Sequence, residues 1–429
     1  MRSRSSLLFL PLVLCAAALV SACADLPTPV AEGALEPGSL RLSRTPTSGL
    51  VTMDVGWTHS CGLTSVGLAW CWGRNSNAQL GDSSFSVRTV PVAVRHPRGA
   101  PTCDVVDDEF ICTVGNPIPF TSVTAGAFHS CALTALGQAY CWGYNADGRL
   151  GDSTTTTPRT PVAVKPLGGF AFTQISAGDR HTCALTSSGA AYCWGYNLWG
   201  QIGDNATTFR QGPRAVTMPS GVTFSQIHAS ENFTCALGTG GQAYCWGYGG
   251  DGQTGDNSVF GMPTPSAVLQ PSGVTFASIS TGNAHACGVT SAGQAYCWGN
   301  NDGGQLGDGT TTDQPTPVAV VQPSGVTFTS VRATGSSTCG LTSGGAAYCW
   351  GYNGYGELGD GNAPTASLSP VAVTLPSGGV TFTQLHGELQ NACGLDGSNG
   401  QVYCWGRNHF YQLGNGTTTD ASTPTPVLH

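Results

Sequence analysis

The chain has 429 residues, enough for one large domain or two ordinary ones. Only 9 % of them are charged, lysine occurs once (Lys165), and the net charge is −8, so there is no basic surface of the kind that neutralises nucleic-acid phosphates. The 61 glycines and 26 prolines, with Thr- and Ser-rich stretches and no helical periodicity beyond residue 23, suit many short strands and tight turns better than long helices.

The first predicted element is an export signal. Arg2 and Arg4 precede an apolar run, Leu7 to Val20, that is too short for an ordinary membrane span. The run ends in LVSAC, which resembles a bacterial lipoprotein box; in that class Cys23 is acylated and becomes the mature N-terminus. Ala22-Cys23-Ala24 also fits ordinary cleavage after Ala24. The expectation carried forward is a signal peptide over 1–23, a flexible tether over 24–38 and a folded region over 39–429. The chain would then sit on the periplasmic or surface side of a bacterial envelope, meeting the membrane only through its lipid.

Cysteine usage agrees with export. Apart from Cys15 and Cys23, the 18 cysteines fall into close pairs: Cys61/Cys71, Cys103/Cys112, Cys131/Cys141, Cys183/Cys193, Cys235/Cys245, Cys287/Cys297, Cys339/Cys349 and Cys393/Cys404. Even numbers at fixed spacing in an exported chain read as disulfides. Zinc sites use tighter spacings.

The pairs mark a repeat. The first cysteine recurs at 61, 131, 183, 235, 287, 339 and 393, a period near 52 residues. The long first interval holds an insertion, about 96–119, with its own pair Cys103/Cys112. One unit runs FTQISAG, HTCALT, AAYCWG, a variable loop and a short PRAV from Phe172 onward, which predicts four strands, lettered A to D here. If Cys183 faces Cys193, residues 184–186 face 192–190 and a three-residue turn remains, Ser187-Ser188-Gly189. Its third position is left-handed, which glycine adopts without steric cost. The seventh copy lengthens that turn by one residue, to 397–400, and the insertion leaves a two-residue turn, Asp107-Asp108. The bridges are therefore cross-strand, between residues directly opposite.

Seven four-stranded antiparallel units predict an all-β fold, a seven-bladed β-propeller, with an open solenoid as the alternative. Ser39–Leu42 (SLRL) aligns with the D strand and is a candidate to fasten the ring beside 426–428.

HTCALTSSGAAYCWGYNLWGQIGD and its copies are similar to the regulator of chromosome condensation repeat, with its Cys/Ala-Leu strand, Tyr-x-Trp-Gly strand and Asn-x-x-Gly-Gln-Leu-Gly segment. The resemblance covers about residues 39–429 and implies the propeller. It also implies one reading of function, since founding eukaryotic members are guanine-nucleotide exchange factors on chromatin. This chain departs from them in its export signal, its lack of a basic tail and its paired cysteines, and fold alone does not transfer function.

Repeated residues read first as structure. His59, His129, His181 and His285 precede the first cysteine by two, but Phe233, Ser337 and Asn391 hold that place in other copies, which argues against a metal ring. The Asp of Asp82, Asp152, Asp204, Asp256, Asp308 and Asp360, replaced by Asn415 in the last copy, suits turn capping better than calcium. The Trp of each copy suits packing between blades. No isolated catalytic constellation breaks the symmetry, so neither an enzyme nor a cofactor is expected.

The copies differ mainly in the A–B and C–D loops, which open on one face. Trp57, Phe128, Arg180, Trp199, Phe209, Tyr355 and Phe410 lie there. Aromatics and Arg on a rigid scaffold are what protein-binding surfaces use. The expected function is binding of an envelope or extracellular protein through this face, as an interaction scaffold or inhibitor. The alternatives are an exchange-factor-like regulator and a cell-wall or polysaccharide binder, since exposed aromatics also stack on sugars.

Overall fold

The computed structural model describes residues 49–97, 102–106, 109–113, 117–165 and 168–428, with backbone alone at 102–113. The Cys23 site, the tether over 24–38 and Ser39–Leu42 lie outside the described residues. Among the described residues every regular element is a strand, and no helix is long and apolar enough to cross a membrane.

Seven four-stranded antiparallel sheets follow one another in chain order, with a separate two-stranded hairpin in the insertion. The third blade is representative: A is Phe172–Ala177, B His181–Thr186, C Ala191–Gly195 and D Arg210–Ala215. B is buried at every residue, and A alternates. A continuous buried strand flanked by a half-buried one is what a blade pressed between two neighbours requires.

The central hairpin has the register counted from the sequence. Cys183 pairs with Cys193, Leu185 with Ala191, and Gly189 turns with φ +76°. All seven blade pairs are bonded, as Cys61–Cys71, Cys131–Cys141, Cys183–Cys193, Cys235–Cys245, Cys287–Cys297, Cys339–Cys349 and Cys393–Cys404. In the insertion the backbone sets Cys103 opposite Cys112; their side chains lie outside the described residues. His96 belongs to the first blade rather than to the insertion. It accepts the Ala69 N–H (2.8 Å) and stacks on Phe120 (4.5 Å), and Gln270 and Gln322 accept the corresponding N–H groups of Ala243 and Ala295.

The core lies between blades. Each cluster joins one blade's cysteines and leucines to the next blade's Trp and its Phe, or Leu50 where the ring closes; Cys183, Leu185 and Ile202 meet Phe224, Ile227 and Trp246. All seven repeated Trp side chains are fully buried. Each rests on the preceding blade's glycine: a Cβ on Gly255, whose φ is +69°, would stand 2.7 Å from Trp298 Nε1.

Hydrogen bonds rivet the same seam. Thr234 Oγ1 donates to Gln201 O (2.9 Å), and Trp246 Nε1 donates to the same carbonyl (3.0 Å). The Thr234 hydroxyl therefore accepts from His181 Nε2–H (2.8 Å). His59–Ser130, His129–Thr182 and His285–Thr338 repeat the arrangement. Burial pushes the imidazoles of His59, His181 and His285 down to about 3, so they are neutral. One gap in the His series is answered by its neighbour, whereas the buried Asn391 side chain finds no hydrogen-bond partner among the described residues. Where Phe233 replaces His, the next blade carries Ala286, and both pack in one apolar cluster. The His positions are seam positions.

Among the described residues, the first and seventh blades are each built from four consecutive strands. Leu50, Met53 and Trp72 of blade one pack on Leu395, Val402 and Leu413 of blade seven, and Trp72 Nε1 donates to Gln412 O (3.0 Å).

Candidate functional site

The C–D loops are held rigid by their own side chains. In blade one, Asn75 Oδ1 accepts the Leu80 N–H (3.0 Å) while Nδ2 donates to Asp82 Oδ1 (3.0 Å). Asp82 in turn caps the Ser84 N–H (3.0 Å), the turn role anticipated for this residue. A second clamp fixes the loop tip. Gln201 accepts the Trp199 N–H (3.1 Å), Gln412 the Phe410 N–H (2.9 Å), and Glu357 the Tyr355 N–H (2.8 Å). The residues that vary most are therefore presented by the parts that vary least.

On this frame the predicted residues form separate groups. Trp57 stands edge-on to Phe128 (5.8 Å) and donates Nε1–H to Glu388 (3.2 Å). Arg180 stacks on Tyr196 (3.8 Å), and Tyr196 meets Phe209 (4.9 Å). Trp199 meets Tyr248 edge-on (4.9 Å). Arg407 lies over Tyr355 (5.1 Å) and Arg74 over Phe410 (4.9 Å). Trp57, Phe128, Tyr355 and Phe410 are half-buried, whereas Trp199 (47 %) and Phe209 (43 %) stand in solvent.

Arg180 is less free than its loop position suggests. Two of its nitrogens bind Asp147 (3.1 and 3.0 Å), which also pairs with the buried Arg149. Arg149 occupies the clamp position held by Gln or, in Glu357, Glu elsewhere and lies over Tyr144 (4.8 Å). The partners Arg74, Tyr144, Tyr196 and Arg407 were not singled out from the sequence. All four directly follow the Trp-Gly of strand C, a position that varies between copies, and that variation was the available clue.

No group of three or more His, Cys, Asp and Glu able to hold a metal occurs among the described residues.

A second symmetry-breaking region faces inward, a set of unlike polar residues that the sequence did not single out. The residue four places after the buried Leu or Phe that opens each A segment faces inward in every blade: Asp54, Thr124, Ser176, His228, Ser280, Arg332 and His386. His386 Nδ1 meets Asp54 Oδ1 (3.0 Å). Burial raises the Asp54 carboxyl, but its bond to His386 and the nearby charges outweigh that and hold it below the usual range. Burial takes His228 down to about 3 and, aided by the Asp54 charge, pushes Glu388 up to about 8. These residues, drawn from separate blades, cannot be connected by reading the chain linearly.

Comparison with known proteins agrees with this architecture. Residues 105–428 match the family described as the RCC1-like domain, and residues 51–79 match the regulator of chromosome condensation (RCC1) repeat. The Ultraviolet-B receptor UVR8 of Arabidopsis thaliana is 29 % identical over 88 % of this chain and 82 % of its own length. The human E3 ubiquitin-protein ligase HERC2 is 31 % identical over 63 % of this chain, which spans only 5 % of that protein. Among solved structures, human WBSCR16 superposes with TM-score 0.72 at 20 % identity, covering 84 % of this chain and 95 % of that one. Yeast RCC1 (Prp20), solved bound to Kap60, gives 0.70 at 19 %, covering 94 % and 91 %. These two likenesses concern the fold. The chain belongs to the RCC1-like domain family.

Proposed function

We propose that this chain is an exported, non-enzymatic interaction propeller that binds a protein partner through its A–B/C–D face. One observation carries the reading. Among the described residues, the exposed aromatics Phe85, Tyr144, Trp199, Phe209, Phe260 and Tyr352 all lie in C–D loops. The B–C turns expose mainly Ser and Thr, and their large exposed apolar side chains, Val66 and Leu136, are aliphatic. Drift in solvent-facing loops has no reason to sort aromatics onto one face, whereas binding surfaces enrich them. The yeast relative was solved with a protein, Kap60, bound to it, so protein recognition is at home on this fold. The export signal, Cys23 as lipid site and the tether over 24–38 belong to the same reading, and disulfides are at home in that compartment. The partner is then an envelope or extracellular protein.

The test is capture from envelope and secreted fractions on the oxidised protein. A parallel variant carries Trp199→Ala, Phe209→Ala, Tyr355→Ala and Phe410→Ala; Trp57 is spared because its N–H serves Glu388. A protein retained by the parent and lost by the folded variant is the expected result. Identical capture by both overturns the face assignment, and retention on a glycan array in place of a protein favours the polysaccharide alternative. A full complement of free thiols on native protein would return the exchange-factor reading.

A further inference from the structure

The seven-membered axial ring divides four to three. In four blades the inward-facing residue is an acceptor for the next blade's backbone. Asp54 accepts the Ala125 N–H (3.0 Å), Thr124 that of Ala177 (3.2 Å), Ser176 that of Ala229 (3.0 Å) and Ser280 that of Ala333 (3.1 Å). In the other three blades the residue is His228, Arg332 or His386. Their neighbours in the same geometry are Thr281, Gly387 and Val55, whose N–H groups receive no such bond among the described residues. All six line one cavity.

The chemistry of that arc is one-sided. Arg332 Nε donates to Leu385 O (3.2 Å), which anchors the guanidinium and leaves its terminal nitrogens uncommitted. Asp54 is already occupied on both oxygens, by Ala125 N–H and His386. Glu388, the other carboxyl on this cavity, donates no negative charge while protonated, and Trp57 binds it. The three blades thus gather donors with too few acceptors, in a site where buried polar groups need partners. His228, Arg332 and His386 also line a wider cavity of about 420 Å³, whose walls are neutral: Thr52, Gln174, Gln226, Ser278, Ser330 and Gln384. The amides of Gln174, Gln226 and Gln384 are spent on bonds between blades, so the walls supply shape rather than charge.

We propose that this axial cavity binds the carboxylate of a small organic acid. Arg332 and His228 face it, and the N–H groups of Val55, Thr281 and Gly387 complete the donor set; the Nδ1–H of His386 is already given to Asp54. Asp54 lines the same cavity and its charge is felt by Arg332, so the ligand is recognised by shape and acceptor geometry rather than by net charge: a planar carboxylate matches the fork of a guanidinium. A dianion would meet no second permanent cation. The wider cavity is of a size to take the rest of a small ligand. The inference is independent of the loop face, and neither stands or falls with the other.

The test exploits the ring itself. Arg332→Ser copies Ser176 and Ser280, so it supplies the missing acceptor to Gly387 while removing the cation. Isothermal titration of the oxidised protein with acetate, and separately with sulfate and inorganic phosphate, reads the site. The expected result is saturable binding of one acetate per chain, weakened at least about tenfold by Arg332→Ser, with the variant's unfolding midpoint unchanged or raised. If that variant does not fold, His228→Ser is read in its place, with the same loss expected. Absence of saturable acetate binding to the parent, or equal binding by the folded variant, overturns the proposal. Tighter binding of sulfate or phosphate than of acetate overturns the assignment to a carboxylate.

Discussion

The seam between blades and the ring at the axis are drawn from the same seven repeats and treat them differently. At the seam, a change in one blade can be answered in the next, since His181 meets Thr234 whereas Phe233 meets Ala286, with Asn391 the exception. On the axis, Arg332 and the two His residues replace hydroxyls without restoring the bond that was lost, whereas Asp54 keeps it. A position whose variation is compensated is under packing constraint. A position whose variation leaves donors unsatisfied stores capacity for a ligand. The loop tips are a third case, varied in side chain yet fixed in backbone, as a presented surface should be.

The seam should break hardest. Trp298→Ala removes a fully buried side chain, its bond to Gln253 O (3.1 Å) and its stack on Phe276. We expect a loss of about 3–5 kcal/mol in denaturant unfolding. Replacing Cys183 and Cys193 together by Ala should cost about 2–4 kcal/mol, because the bridge no longer restrains the unfolded chain.

Glu357 offers a change of opposite sign. It is buried at the clamp position of Gln201, one of its oxygens has no partner, and burial pushes it up to about 7. A carboxyl raised above its unfolded value of 4.5 contributes no penalty below pH 4.5 and an increasing one as pH rises toward 7. Glu357→Gln should therefore be neutral at pH 4 and stabilise by roughly 2–3 kcal/mol at pH 8, read as the difference between two denaturation midpoints. The seam histidines have the reverse dependence. Their lowered values mean that the parent loses stability as pH falls from 6.5 toward 3. The smallest effect belongs to the loop face: Trp199→Ala or Phe209→Ala should shift the midpoint by no more than about 0.5 kcal/mol.

How much of this was legible follows from distance along the chain. The Cys183–Cys193 register and the Gly189 turn lie within one hairpin and could be counted. The Trp positions repeat in every copy, so their burial followed from symmetry. The His–Thr rivet was hidden because its members sit one blade apart, 53 residues for His181 and Thr234; their compensation in the Phe233/Ala286 pair was present in the sequence and emerges only once neighbouring blades are aligned. The axial ring was hidden more thoroughly. Asp54 and His386 are separated by 332 residues and meet through ring closure. A strand's period of two says that both face one side, not that the same point lies in front of them. Arg180 shows the converse: its loop position was right, but its ion pair with Asp147 depends on a neighbouring blade.

The most direct measurement of the central claim compares the two faces of one propeller. The affinity of the captured partner would be measured for the parent, for a loop-face variant (Trp199→Ala with Phe410→Ala) and for an opposite-face variant (Val66→Ser with Leu136→Ser), all confirmed folded and oxidised. The account predicts at least about a tenfold loss for the first variant and parental affinity for the second. Loss in the opposite-face variant with full binding by the loop-face variant would contradict it.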